Sequence, residues 1–455
     1  MLFTTEWLST IFKDCQGAFK EPLPIKEVVT DSRKNTNKAL FIPISGETFD
    51  GHDFINQAFN NGAVGTLWEK GKELPGFLPT DFPIYFVDNT LVALQQLASA
   101  YRDVVDPTVI GITGSNGKTT TKDLMAAVLK KSFRTHNTEG NLNNHIGVPL
   151  TILSMPRDTQ VLVAEMGMNH FGEIEVLSNI IKPDYAIITN IGESHIEYLG
   201  SREGIATAKL EIIKGMNEDG CLILDGDELL LKQMHSRNNV ITCGFDAHND
   251  VIIKHVNLGQ KRTHFTLSNG EQYAIPLMGG HHALNATFAI TIAGKMGVSA
   301  TDMNDALSTL EHTSMRFELL QGTNGVSVIN DAYNASPTST KAAITVVKQM
   351  DGFDQKVLVL GDILELGEQS ELFHQSIANV IDNSITAVFT LGEQAERITQ
   401  ETKQNNPSII CRHYKSKEVL LEALGEYLRQ DTLILFKASR MMQFEWFVEE
   451  IVHSK

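Results

Sequence analysis

From about residue 108 onward the chain repeats one pattern: a short apolar run, a glycine-containing turn, then a stretch with apolar positions at helical spacing. VIGITG leads into KDLMAAVLKK, VLVAEMG into GEIEVLSNII and YAIITNIG into SREGIATAKLEIIKGM, and CLILDGDE closes the series. Apolar strands alternating with helices predict an α/β fold with a central parallel sheet covered by helices on both faces. Residues 240–277 read as more β-rich, and HHALNATFAITIAGKMG (281–297) reads as a helix. After about residue 314 the alternation returns with VSVIND, KVLVLGD, AVFTLG and TLILFKAS, predicting a second, smaller, doubly wound Rossmann-like sheet.

Upstream, residues 1–88 mix ALFIPI, AVGTLW and IYFV with Gly and Pro turns, the pattern of a small α/β domain. In NTLVALQQLASAYRDVV, the residues Leu91, Leu94, Leu97, Ala98 and Tyr101 recur at helical spacing behind Asn89, a candidate cap, and Pro107 stops the run. The expected organisation is an N-terminal domain (1–88), a connecting helix (89–106), a central domain (107–313) and a C-terminal domain (314–455). A chain of 455 residues accommodates three domains of ordinary size.

Composition narrows the partners. Thirty-eight Lys and Arg against 55 Asp and Glu give a net charge of −17, which would repel nucleic acid or an anionic membrane but leaves room for a local cationic site. Cys15, Cys221, Cys243 and Cys411 are scattered, without a CxxC pair or zinc spacing, as suits a reducing compartment. The first residues lack a basic run, and no stretch of about 18 apolar residues occurs, so a cytoplasmic protein without membrane insertion is expected.

The strongest chemical signal is IGITGSNGKTTTKDLM. An apolar strand enters a glycine turn, and Gly117, Lys118 and Thr119 open a helix whose free N–H groups suit a phosphate. Lys118 adds charge and Thr119 a hydroxyl for magnesium, but Ile112 stands where a strict P-loop has its first glycine. Glu165 ends the run VLVAE at the sheet edge where such folds bind ligands, and its carboxylate suits Mg²⁺. His195 follows another strand and reads equally as a structural histidine; Lys209 reads as a surface lysine on an amphipathic helix. Further on, Asp331, Asn334, Ser336 and Pro337 follow a strand, with Arg316 upstream as a cation suited to phosphate. Asp362 and Glu365 in LGDILELG, and Lys437 and Arg440 in FKASR, occupy similar strand ends. His281 and His282 are adjacent and point apart, and no GxSxG elbow is present.

Taken together, DSRK, GETFDGHDF, TGSNGKTTTK, NLNNHIGVPLT, GSREGIATAKLEI, DAYNASPTS and LGDILELG make the whole chain resemble the Mur ligase family of ATP-dependent amide-forming enzymes. The family's TGSNGKT form of the loop accounts for Ile112. The resemblance implies that Thr113, Gly114, Ser115, Asn116, Gly117, Lys118, Thr119 and Thr120 with Asn285, Arg316 and Asp331 hold ATP. It implies that Thr119, Glu165, His195 and a carbamoylated Lys209 serve Mg²⁺, with Lys118, Glu165, His195 and Lys209 as the catalytic set. Ser32 and Arg33 match the region holding a uridine diphosphate sugar, Asn141, Asn143 and Asn144 the substrate cleft, and Asn334 and Ser336 the segment facing the incoming amine. DAYNASP with LGDILELG implies the branch that joins D-alanyl-D-alanine to UDP-N-acetylmuramoyl-tripeptide through an acyl phosphate; a monomer is expected, and the net charge argues against a nucleic-acid partner. Two rivals stay open here, a sibling ligase adding another amino acid and a P-loop ATPase of a different class. FKASR departs from the family's KGSR, so Ala438 puts the following turn, and with it Lys437 and Arg440, in question.

Overall fold

The computed structural model describes residues 1–259, 262–310 and 314–453, the last without its side chain. The expected boundary at 313 falls on residues 311–313, which lie outside the described residues.

A nine-stranded sheet forms the middle of the molecule. Its spatial order is Gln272–Ile275, Thr263–Leu267, Val251–Leu258, Val240–Gly244, Cys221–Asp225, Tyr185–Ile188, Thr108–Thr113, Val161–Glu165 and Thr135–Asn137. The pairings are parallel from Thr135–Asn137 across to Val251–Leu258, and the last two are antiparallel. Strands such as VLVAE are buried on both faces, which is why they read as unbroken apolar runs. The register sets the site: Glu165 lies opposite Ile112, and Ile188 opposite Thr113. Three strands therefore end in one row, and the loops leaving them share one edge. Gly280–Lys295 packs Ala286, Ala289 and Ile290 in one core with Leu124, Met125 and Val128 of the helix Lys118–Leu129.

The C-terminal sheet has six strands, ordered Glu318–Gln321, Ser327–Asn330, Thr432–Lys437, Gln355–Gly361, Ala387–Leu391 and Ile410–Tyr414. All pairs are parallel except the first, and Asn330 sits opposite Phe436, so Asp331 and Lys437 leave the sheet side by side. The N-terminal region holds a five-stranded sheet built from residues 15–87. The helix Thr90–Val105 follows it, capped by Asn89 Oδ1, which accepts from Val92 N at 2.9 Å, and ended by Asp106 in the left-handed region. Its Leu94, Leu97 and Tyr101 join Val148, Ile152 and Leu177 of the central unit in one core. Among the described residues no helix is long and apolar enough to cross a membrane.

Candidate active site

The glycine loop begins two residues later than a strict P-loop, because the strand runs on through Ile112 to Thr113. A side chain at Gly114 would run into Thr189 Oγ1 at 1.8 Å, and at Gly117 (φ +79°) into Asn285 Oδ1 at 2.8 Å. Gly117 precedes the helix Lys118–Leu129 without any side-chain cap, so its first N–H groups stay open to an anion. Lys118 Nζ donates to Gly114 O (2.8 Å). Its ammonium pKa is lowered, chiefly by burial, with Glu165 opposing and Arg316 adding to the shift.

Next to the loop, Glu165 is 2% exposed; Asn143 Nδ2 donates to its Oε1 at 2.8 Å, while Oε2 is buried without a partner. Lys209, on the helix Arg202–Leu210, is 2% exposed, and its side chain makes no hydrogen bond or ion pair among the described residues. Burial and then the charge of Lys118 push its pKa well below the ordinary lysine value. An unpartnered buried carboxylate oxygen is what a divalent cation site needs: Glu165 Oε2 and the Thr119 hydroxyl are oxygen donors that fit Mg²⁺. His195 (φ +63°) reaches the other sheet, where Glu365 Oε2 lies 2.6 Å from its Nδ1. That contact is short, and the neighbouring imidazole holds the Glu365 carboxyl below its usual range.

The facing wall belongs to the C-terminal sheet. Lys437, 3% exposed, donates to Asp331 Oδ2 (2.6 Å) and to Asn334 O (3.1 Å). Arg316 lies 3.9 Å over the Tyr333 ring, its Nη2 donates to Thr119 Oγ1 at 3.4 Å, and its buried Nε has no partner. Ser336 Oγ donates to Asn116 Oδ1 (3.0 Å), joining the two walls. Ala438 is buried and is not among the positive-φ residues, so no glycine is required there and the FKASR turn is built without strain.

The two walls enclose a cleft of about 580 Å³ lined by Ser115 to Thr120, Asn143, Asn144, Glu165, His195, Asn285, Arg316, Asp331, Asn334 and Lys437. The outlying candidates are Asn141, which is exposed and does not line it, and Ser32 and Arg33, which lie on the N-terminal region. Ser32 Oγ donates to Gln57 Oε1 (2.8 Å), and Arg33, 79% exposed, pairs with Asp31 (2.9 Å). Thr113, Gly114, Lys209 and Ser336 sit behind the lining. Asp362 is structural, its carboxylate accepting from the backbone N of Glu393, Gln394 and Ala395 at 2.7–3.0 Å. Arg440 pairs with Glu445 at 3.0 Å.

Family models match almost end to end: the Mur ligase family catalytic domain over residues 24–102, the Mur ligase middle domain over 112–293 and the Mur ligase glutamate ligase domain over 315–440. The chain belongs to the Mur ligase family. It is 47% identical to the UDP-N-acetylmuramoyl-tripeptide--D-alanyl-D-alanine ligase of Bacillus subtilis (strain 168), over 95% of this chain and 94% of the relative. The enzyme of the same name from Escherichia coli (strain K12) is 32% identical over 96% and 95%. Among solved Mur ligases, MurF of Acinetobacter baumannii superposes with a TM-score of 0.86 at 29% identity, covering 99% of both chains. MurF of Thermotoga maritima in complex with ADP gives 0.82 at 28%, covering 93% and 96%.

Several lining residues of this Mur ligase escaped the sequence reading: Asn190, Asp225, Phe317, Tyr333 and Thr338. Asp225 ends the strand Cys221–Asp225, so the strand-end rule that found Glu165 would have found it; burial pushes its pKa up to about 7. Thr338 carries no such signal, because its place depends on how two sheets meet.

Proposed function

We propose that this Mur ligase joins D-alanyl-D-alanine to UDP-N-acetylmuramoyl-tripeptide with hydrolysis of ATP to ADP and phosphate, acting as a cytoplasmic monomer. It is an ATP-dependent amide-forming ligase. The observation that carries the reading is the cleft in which an open phosphate-binding helix start and Glu165, with its Oε2 unpartnered, face the Asp331–Lys437 pair and Asn334, with Lys209 buried behind the lining. Likeness to the Bacillus subtilis ligase at 47% identity over 95% of the chain supports the substrates.

In this reading the tripeptide carboxylate attacks the γ-phosphorus, ADP leaves, and the dipeptide amine attacks the resulting acyl phosphate, losing a proton as the C–O bond to phosphate breaks. Lys118 and the N–H groups of its helix offset the charge that builds between two anions. Asn143 fixes one oxygen of Glu165 and leaves the other for Mg²⁺, which when bound supplies Lewis-acid polarisation of the transferring phosphoryl group. Lys209, whose pKa burial lowers, can in its neutral form add CO₂ and lose a proton to become a carbamate, which puts an oxygen donor beside Lys118. Asn285, Arg316 and Asp331 hold the nucleotide, and Asn334 and Ser336 position the dipeptide. We assign residues 1–88, with Ser32 and Arg33, to the uridine diphosphate sugar, 107–313 to ATP and 314–455 to the dipeptide.

The test is phosphate release from ATP and Mg²⁺ with the uridine-linked tripeptide, with and without the dipeptide, and product mass. Release that needs both substrates, with a product heavier by one dehydrated dipeptide, is expected. Release indifferent to the dipeptide would sink the assignment.

A further inference from the structure

Glu193 lies in the loop between the strand Tyr185–Ile188 and the helix Ile196–Leu199 of the central unit and is only 9% exposed. Among the described residues no cation pairs with it. Its Oε2 instead accepts from one residue of the other sheet's covering helix: Thr338 Oγ1 at 2.7 Å and Thr338 N at 3.2 Å. Thr338 is the second residue of the helix Pro337–Gln349, where an N–H has no acceptor inside the helix and a carboxylate meets the positive end of the dipole. That helix start is thus held by its own Ser336, which accepts from Ser339 N at 3.2 Å, and by a carboxylate reaching across the cleft.

On its other side the same loop grips the phosphate loop. Asn190 accepts from Asn116 N (3.0 Å) and donates to Asn116 O (2.9 Å), and Gly192 N donates to Ser115 Oγ (2.8 Å). Thr338, Ser339, Ala342 and Ala343 line the cleft, whereas Glu193 does not. One short loop therefore ties the phosphate-binding turn to the helix that walls the dipeptide half.

We propose that Glu193 is a positioning residue that, through Thr338, keeps the helix Pro337–Gln349 against the phosphate loop so that the acyl phosphate meets the amine and not water. This rests on the function proposed above. Without the grip, water oxygen adds to the activated carbonyl carbon and the C–O bond to phosphate breaks, giving back the carboxylate with inorganic phosphate and a proton. ATP is then spent without amide formation.

The experiment measures phosphate released per pentapeptide formed, by the full-length protein, across dipeptide concentrations. In the unsubstituted enzyme this ratio is close to one. Glu193→Ala raises it several-fold and raises KM for the dipeptide about tenfold while KM for ATP stays within about twofold. Thr338→Val, which keeps the side-chain shape and removes only the Oγ1 donor, moves both in the same direction, and the double variant is no worse than Glu193→Ala. Glu193→Gln, which keeps an acceptor without the charge, falls between. Thr338→Val decides the matter if Glu193→Ala does not fold. A ratio of one in every folded variant, with kcat and all KM values changing in parallel, overturns the proposal. Phosphate release without pentapeptide in the unsubstituted enzyme overturns the functional reading instead.

Discussion

The two walls of the cleft hold similar residues in opposite states. On the central side Glu165 keeps one oxygen free and Lys209, behind the lining, has no side-chain partner, whereas on the C-terminal wall Lys437 and Asp331 are 2.6 Å apart and their other bonds are made. Burying an unpaired charge is costly, and a bound phosphate or cation would offset that cost. The central wall is therefore built to be finished by phosphate and cation, and the C-terminal wall to be a fixed frame against which the amine is aimed.

The largest expected effect tests the ligand-hungry side: Lys118→Met lowers kcat/KM by about 10²–10³-fold, read from initial rates, while the melting temperature holds. A loss below about tenfold would remove Lys118 from the charge-stabilising role. On the frame side the loss falls on the fold. Lys437→Met leaves the half-buried Asp331 without its cation and costs up to about 3 kcal/mol in denaturant unfolding. The matching change across the cleft has the opposite sign. Lys209→Met removes a buried amine that has no partner and is harder to protonate folded than unfolded, so it raises the melting temperature at pH 7 while abolishing ligation. Because the folded pKa of Lys209 lies below its unfolded value of 10.5, the unfolded chain holds the extra proton between the two. Wild-type stability therefore gains from this group as pH rises through that window, and the advantage of Lys209→Met shrinks as pH approaches 10.5. An advantage that grew with pH would mean Lys209 is charged and paired. The smallest effect is Ser336→Ala, which removes both the helix cap and the bond to Asn116 and costs about 1 kcal/mol in thermal unfolding.

How legible each wall was in the sequence follows from the same difference. TGSNGKTTTK could be read at once because strand, turn and helix start are neighbours in the chain, and Glu165 could be read because it ends its own strand. The pairing of Lys437 with Asp331 spans 106 positions and arises only because one late strand lies beside an early one. Lys209 looked like an ordinary surface lysine, since the helix Arg202–Leu210 shows its burial only once it packs. The concern over Ala438 came from a substitution read without its backbone angle. Glu193 and Thr338 were invisible for the same reason as the walls themselves: their contact exists only where two sheets meet.

The strand Thr432–Lys437 lies between Ser327–Asn330 and Gln355–Gly361, so the sheet built from residues 318–437 is assembled out of order. A ribosome that has delivered everything up to residue 431 has made a chain in which two inner strands face a gap. Their free edges are templates for pairing with another chain until the last strand inserts. The C-terminal unit thus acquires its native form late in biosynthesis, and nascent chains halted before Thr432 should be protease-sensitive after residue 314 while the central unit resists, a difference that proteolysis of stalled ribosome complexes would reveal. Translation interrupted between Gly361 and Thr432 therefore leaves the two inner edges of this sheet open.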